Sequence, residues 1–396
     1  MNRLSRFWVS NTEAVVYSTL LLFVIGSVNI FSASFVEAGQ TMHDSYFYLK
    51  RHLMTFCIGI MAMIVMSRMD YHRLKRLISM VIVVTIGLLV AVHASGIQIN
   101  GARRWINIGF QFQPSEFAKL TGLLITAGYL GPVIDYGRRV TLLSTPFYIT
   151  VVLALIVFKQ PDMGTAVIII SVSLMLYMIA GLPKQQLFTL MGGGALLFLY
   201  GTFTAAYRAE RIAAWLNPWA YQQGIGYQAV QGLLAIGSGG FFGTGLGMGA
   251  SKFYYLPEGH TDFAFAVLCQ EMGFIGAVIV LFLMSIFAYY GVKISLKAPD
   301  GFGKMLAMGT VILIVGQAVI NIAMVSGLLP VVGVPLPFIS YGGTALIVNL
   351  ASIGILLNVG RQAVERVPGE PQEGPENSRD TRLKLARKAR TLSRVK

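Results

Sequence analysis

The run MLAMGTVILIVGQAVINIAMV, Met305 to Val325, decides the fold class of this chain. It contains no ionisable residue, and its length matches the roughly 20 apolar residues needed to cross a hydrocarbon core of about 30 Å. Lipid offers backbone N–H and C=O groups no water to bond, so a run like this closes its own hydrogen bonds as a helix. Similar runs recur at Ala14 to Phe35 and Leu77 to His93. Of the 396 residues, 55% are hydrophobic and only 12% charged, whereas soluble domains carry about 25% charged residues. The chain therefore reads as an all-α, polytopic integral membrane protein. The first run is longer than the apolar part of a signal peptide and many runs follow it, so it counts as the first helix.

Working outward from these runs, helices are expected near 14–35, 53–69, 77–93, 117–134, 142–158, 165–180, 187–203, 263–290, 305–325 and 344–359, about ten in all. An even number places both termini on one side. Arg3, Arg6, Arg68, Arg73, Lys75, Arg76, Arg138, Arg139, Lys184, Lys293, Lys297 and Lys304 share that side, which the positive-inside rule makes cytoplasmic. The expected organisation is a membrane domain, 1–361, and a basic cytoplasmic tail, 362–396, expected to be disordered. That tail, ending RLKLARKARTLSRVK, supplies much of the formal net charge of +14. Beside a membrane such a segment suits anionic lipid headgroups, so nucleic acid is not among the expected partners. Cys57 and Cys269 lie inside apolar runs without CxxC spacing and read as packing residues. No repeat of fixed period and no inverted pair of glycine-broken helices is visible.

Three outward connections are richer in polar, glycine and aromatic residues than a simple link requires. The first reads NGARRWINIGFQFQPSEFAKL, Asn100 to Leu120. Arg103 and Arg104 offer planar, bidentate donors suited to phosphate, and Trp105 offers a stacking surface. Pro114, Ser115 and Glu116 resemble a helix start, whose free N–H groups also favour an anion. A blander reading gives both arginines to lipid headgroups, Trp105 to the aromatic belt, and Glu116 to an ion pair with Lys119 one turn on. The second, KQPDMGT (Lys159 to Thr165), carries Asp162, whose simplest role is a helix cap. The third and longest, between helices seven and eight, runs from Tyr207 to Asp262 and includes GSGGFFGTGLGMG, which lacks the lysine of a P-loop. Asp262 directly precedes an apolar helix and should lie at the membrane boundary, where an ionisable residue is costly and hence a functional candidate. Glu271, nine residues on, falls about 180° around a regular helix and reads as a buried packing residue. Glu258 and His260 sit beside Asp262 in sequence.

Taken together, NGARRW, QPSEFAKL, QPDMGT, YYLPEGHTDFAFAVLCQEMG and GLLPVVGVPLPFISYGGTAL closely resemble, in that order, the signature segments of the shape, elongation, division and sporulation (SEDS) family. RodA, FtsW and SpoVE belong to it, and SKFYYLPEGHTDF and PLPFISYGG resemble the FtsW and SpoVE branch. The resemblance extends to about Arg361. It implies a ten-helix peptidoglycan glycosyltransferase that polymerises lipid II on the outer face of the cytoplasmic membrane, beside a class B penicillin-binding protein. Division or elongation proteins would be further partners, and the septum the expected location. The family's essential aspartate maps onto Asp262, its Arg–Trp pair onto Arg104 and Trp105, and its QPxE segment onto Gln113 to Glu116. Two positions depart from the family: Gln270 stands where relatives usually have an acid, and Thr344 ends GGT where relatives have GGS.

The residues suit that chemistry. A pyrophosphate leaving group departs without protonation when cations neutralise it, so one carboxylate and a cluster of cations suffice. Asp262 would take the proton from the acceptor's 4-hydroxyl. Arg103, Arg104, Lys119, Arg208 and Arg211 would hold pyrophosphate, with Trp105, Glu116, Glu258 and His260 completing the substrate site. Magnesium or manganese could share that work, although no ligand cluster is visible. The rival readings are a lipid II flippase, which needs polar residues along a path through the bilayer such as Glu271, Gln317 and Asn321, and a non-catalytic division scaffold.

Overall fold

The computed structural model of the chain describes residues 10–99, 102–107, 111–190, 192–193, 206–250 and 256–365. It is built from helices: α1 (Asn11–Thr41), α2 (Phe47–Arg68), α3 (Tyr71–Ser95), α4 (Pro114–Asp135), α5 (Thr145–Lys159), α6 (Met163–Ile179), α7 (Ala206–Leu216), α8 (Tyr227–Gly239), α9 (Ala264–Leu296), α10 (Gly301–Val325) and α11 (Gly343–Glu365). Seven of these, α1 to α4 and α9 to α11, are long and apolar enough to cross a membrane, and α5 and α6 are shorter apolar helices. The protein is thus a polytopic all-α membrane protein. Residues 184–190 and 192–193 are also helical, and the rest of the helix expected over 187–203 lies outside the described residues. The chain divides into a bundle, Met1–Ala363, and a C-terminal stretch, Val364–Lys396; the tail expected over 362–396 falls largely outside the described residues.

Local chemistry starts the helices where it should. Ser10 accepts from Glu13 N at 3.2 Å to cap α1, and Asp70 accepts from His72 N at 3.0 Å to cap α3. Asp300 accepts from Gly303 N at 3.0 Å to cap α10, and proline opens α4, where its missing N–H costs nothing. Several helices outrun the apolar runs that betray them. Thus α2 begins at Phe47 and α3 at Tyr71, so Lys50, Arg51, Arg73, Lys75 and Arg76 occupy helical turns rather than links. A hydropathy window ends at the first charges, whereas the backbone ladder continues past them into water.

The bundle is held by pairs distant in sequence: α1 packs on α9, α4 on α10, and α9 on α10. Small residues allow the close approaches that replace a hydrophobic drive in lipid. A Cβ at Gly26 would meet Phe338 O and one at Gly131 the Phe302 backbone. The core runs through Leu22, Leu123, Leu130, Phe263, Phe287, Phe302 and Ile353. Cys269 is buried as expected, but Cys57 is exposed on α2; it lines the outer surface rather than packing inside.

Three further features were not legible as loops. Residues after α3 form a small antiparallel sheet, β1 (Ile97–Ile99), β2 (Ala102–Asn107) and β3 (Gln111–Phe112), in that order. The long third connection contains α7 and α8. And α9 is broken at Gly273, whose φ of 65° and ψ of −162° are non-helical and open only to glycine.

Candidate active site

The sheet, the turn before α6, and the two loops that precede α9 and α11 meet at the end of the bundle that the charge pattern assigns to the outside. Asp262 lies at their centre. Its backbone carbonyl accepts from Asn321 Nδ2 at 2.8 Å, and the same amide donates to Val334 O at 2.6 Å. A buried asparagine on α10 therefore joins the Asp262 turn to the loop before α11. Gly333 in that loop has φ +68°, and a Cβ there would lie 3.2 Å from Asp262 Oδ2. Any larger residue would press on the carboxylate. The turn itself is set by Glu258, at φ 55°, whose carbonyl accepts from Thr261 N at 3.2 Å and Phe263 N at 3.0 Å. A left-handed glutamate is uncommon and marks a constrained turn. Its exposed carboxylate accepts the Thr261 hydroxyl at 2.5 Å.

Burial pushes the Asp262 carboxyl up to about 7, with the nearby negative charges of Glu258 and Asp162 adding to the rise and Arg104 and His260 opposing it. Low polarity disfavours the ionised form, and the opposing groups recover only part of that cost. The group is poised to lose and gain a proton near neutrality.

Arg104 reaches this site from β2. Its Nε donates to Gln160 O at 3.2 Å, and a terminal nitrogen donates to Pro161 O. Guanidinium has five N–H donors, so two carbonyls orient it without exhausting it. Arg103 is exposed, opposite Gln98 in the sheet, and the register slips beside it, leaving Arg104 as the extra residue of a bulge. Trp105 is half-buried opposite Ile97.

The carbonyls that hold Arg104 are positioned by Asp162. One oxygen accepts from Thr165 N at 3.3 Å, capping α6 as expected. The other accepts from the Ser115 hydroxyl at 2.7 Å and from Gln113 Nε2 at 2.9 Å. Thr344 completes the frame, accepting from Gln113 N at 3.0 Å and donating to Gln111 O at 3.2 Å. Only its hydroxyl is used, which explains why threonine can stand where relatives carry serine.

The other expected site residues have contacts of their own. Glu116 and Lys119 are both enclosed in the bundle and paired at 2.8 Å, and Lys119 Nζ also donates to Gln317 Oε1 at 2.7 Å. The ion pair expected one turn along the helix is formed. His260 is buried, with Nδ1 3.2 Å from Glu37 Oε2, its ring 4.5 Å from that of Tyr48, and its carbonyl accepting from Tyr341 N at 2.9 Å. It fastens the Asp262 turn to α1, α2 and the loop before α11. Arg208 and Arg211 lie on α7, and their side chains are outside the described residues. Glu271 is buried and accepts the Ser32 hydroxyl at 2.6 Å. Among the described residues, no three His, Cys, Asp or Glu side chains gather as a metal cage.

Sequence reasoning did not find Glu37, Tyr48, Asn321 or Gly333 as neighbours of this site. Their only signal is proximity in space, from segments that lie from about 60 to more than 200 residues away along the chain.

The same arrangement of segments recurs in known proteins. A family model described as cell cycle protein, covering FtsW, RodA and SpoVE, matches residues 12–365. The chain belongs to this family. It is 39% identical over 354 residues to stage V sporulation protein E of Bacillus subtilis (strain 168), covering 88% of this chain and 96% of that one. It is 40% identical over 350 residues to a probable peptidoglycan glycosyltransferase FtsW of Geobacter sp. (strain M18), covering 87% and 95%. Among solved structures it is similar to a chain from a study of the structural coordination of polymerization and crosslinking by a peptidoglycan synthase complex. That match has a TM-score of 0.75 and 27% identity, covering 91% of this chain and all of that one. The rod shape determining protein RodA of Thermus thermophilus matches with a TM-score of 0.64 and 27% identity, covering 92% and 99%. Family members therefore share the fold along nearly the whole chain, and the segments that frame Asp262 lie within the shared region.

Proposed function

We propose that the protein is a peptidoglycan glycosyltransferase that polymerises lipid II on the outer face of the cytoplasmic membrane, in the division branch of its family and at the septum. The observation that carries this reading is Asp262, a carboxyl raised to about 7 beside an oriented arginine, in a chain matched over 87% of its length by a protein named probable peptidoglycan glycosyltransferase.

Asp262 acts as the general base. Its carboxylate takes the proton of the acceptor sugar's 4-hydroxyl as that oxygen attacks C1 of the donor sugar. The C1–O bond to pyrophosphate breaks, the new glycosidic bond forms with inversion, and the polyprenyl pyrophosphate leaves with the electron pair. Arg104 meets the charge that develops on the leaving group. A base with a pKa near the working pH combines a large ionised fraction with useful proton affinity. A divalent cation, magnesium or manganese, would arrive with the pyrophosphate. Trp105 would border the sugar, whereas Arg103, Arg208 and Arg211 would serve the approach of anionic headgroups. Crosslinking would fall to a class B penicillin-binding protein held alongside, a division of labour in keeping with the synthase complex that this chain resembles.

The flippase reading draws no support from the polar groups at depth. Glu271, Gln317 and Asn321 are all engaged in bonds between segments of the bundle. A scaffold would leave the framed, proton-active Asp262 without a use. The test is polymerisation of purified lipid II by the protein with its penicillin-binding partner, comparing wild type with Asp262→Asn on a glycan-length gel. Long strands from wild type alone support the assignment; strands from both would remove Asp262 from the chemistry. Strands from neither, with labelled lipid II crossing proteoliposomes, would favour transport.

A further inference from the structure

The glycine-rich segment that follows α8 exposes apolar side chains where an outward connection ordinarily exposes polar ones. Phe241, Phe242, Leu246 and Met248 are 58%, 78%, 60% and 74% exposed, and Gly240 to Ala250 contains no ionisable residue. Contiguous open apolar surface of this kind marks a contact with something that is not water.

The backbone beneath these side chains is fixed. Thr244 N and Gly245 N donate to Gln270 O and Glu271 O at 2.9 and 3.0 Å, while Phe274 N and Ile275 N donate to Gly240 O and Phe241 O at 3.0 and 3.3 Å. The segment is thus wedged into the break of α9 at Gly273, supplying partners to groups that the broken helix leaves free. This also fixes its place relative to the bilayer. The Phe241 ring stacks on Phe274 with centroids 5.7 Å apart. Phe274 begins the open apolar face of α9, which continues through Ile275, Val278, Ile279 and Phe282 toward Lys293 and Lys297 at the cytoplasmic end. From Phe274 to Leu296 the helix rises about 34 Å, enough to cover a hydrocarbon core of about 30 Å. Phe274 therefore stands at the outer edge of the hydrocarbon, and the apolar tip beside it continues the lipid-facing surface.

We infer that residues 240–248, a loop by sequence, insert Phe241, Phe242, Leu246 and Met248 among the acyl chains of the outer leaflet as an interfacial anchor. The four backbone bonds tie that anchor to the break in α9. It holds at the membrane plane the short first segment of that helix, which begins two residues after Asp262 and ends at the break at Gly273. The inference does not depend on the reaction assigned to Asp262.

The test uses the full chain in phosphatidylcholine nanodiscs, with exposed Cys57 changed to Ala and bimane attached at Phe242→Cys or, separately, at Met248→Cys. Glu210→Cys, at an exposed charged position, serves as the water-facing reference. Lipids brominated on the acyl chain should quench the labels at 242 and 248 by about two-fold or more, and iodide should quench them far less than the reference. Iodide quenching equal to the reference, with no effect of brominated lipid, would place the segment in water and overturn the inference. Protection from both quenchers would overturn it as well, because protein rather than lipid would then cover the patch.

Discussion

Replacing Asp262 by Asn should abolish polymerisation and, at alkaline pH, stabilise the folded protein. The carboxyl rises from 3.8 to about 7 on folding, so between those values the folded state holds a proton that the unfolded chain has released. Stability from this group is fully present below pH 3.8 and is lost as pH rises through about 7. Roughly three pKa units at 1.36 kcal/mol each give a ceiling of about 4 kcal/mol. Local relaxation and water entry should bring the realised gain nearer to about 1–2 kcal/mol. Asparagine is neutral throughout, so the variant should escape this penalty at pH 8, and its advantage should shrink toward zero near pH 4. The assay is thermal unfolding in one detergent at both pH values, followed by intrinsic fluorescence at a fixed scan rate because membrane proteins unfold irreversibly. A variant that is inactive and also less stable at pH 8 would show Asp262 to be a structural residue, and a gain independent of pH would refute the raised pKa.

Polymerisation at sub-saturating lipid II, which reports the free enzyme, should be half-maximal near pH 7 and fall about tenfold for each unit well below it. Because Glu258 raises the Asp262 pKa and Arg104 lowers it, Glu258→Gln should move that limb to lower pH and Arg104→Gln to higher pH; movement in one direction for both would contradict the site. Lys119→Met strands a buried carboxylate and should cost about 3–5 kcal/mol of stability. The double variant with Glu116→Gln should recover much of this in the same melt, without moving the pH limb. Gly333→Ala places a Cβ at φ +68° and 3.2 Å from Asp262 Oδ2. It should lower the polymerisation rate by about tenfold or more through misplacement of the base, with most of the folded yield retained in size-exclusion chromatography; full activity would mean that the carboxylate does not depend on this contact.

The spans were legible because lipid imposes one rule on every residue it touches, and the runs at Ala14 and Met305 obey it without reference to the rest of the chain. Caps such as Asp162 were legible for a similar reason, since a cap concerns three or four consecutive residues. Reading failed where a local pattern had two outcomes. Arg103 and Arg104 look equivalent in sequence, and the fold brings Arg104 to the Gln160 and Pro161 carbonyls while leaving Arg103 exposed. Lys119 reads in sequence as a pyrophosphate ligand or as the partner of Glu116, and only packing adds the Gln317 amide on α10. What holds the glycine run was not legible because its partners, the carbonyls of Gln270 and Glu271, belong to a helix that pattern alone treats as unbroken.

Sequence by itself determined that this chain crosses a membrane many times, which end of it carries the polar connections, and that Asp262 is the carboxylate at the boundary. These are consequences of solvation and of short-range geometry, which each stretch feels on its own. Only the tertiary structure decided which groups surround Asp262 and what they do to its proton. Arg104, Asp162, Asn321, His260 and Gly333 come from five separate segments, and their effect acts through distance and local polarity, quantities that exist only once the helices have packed.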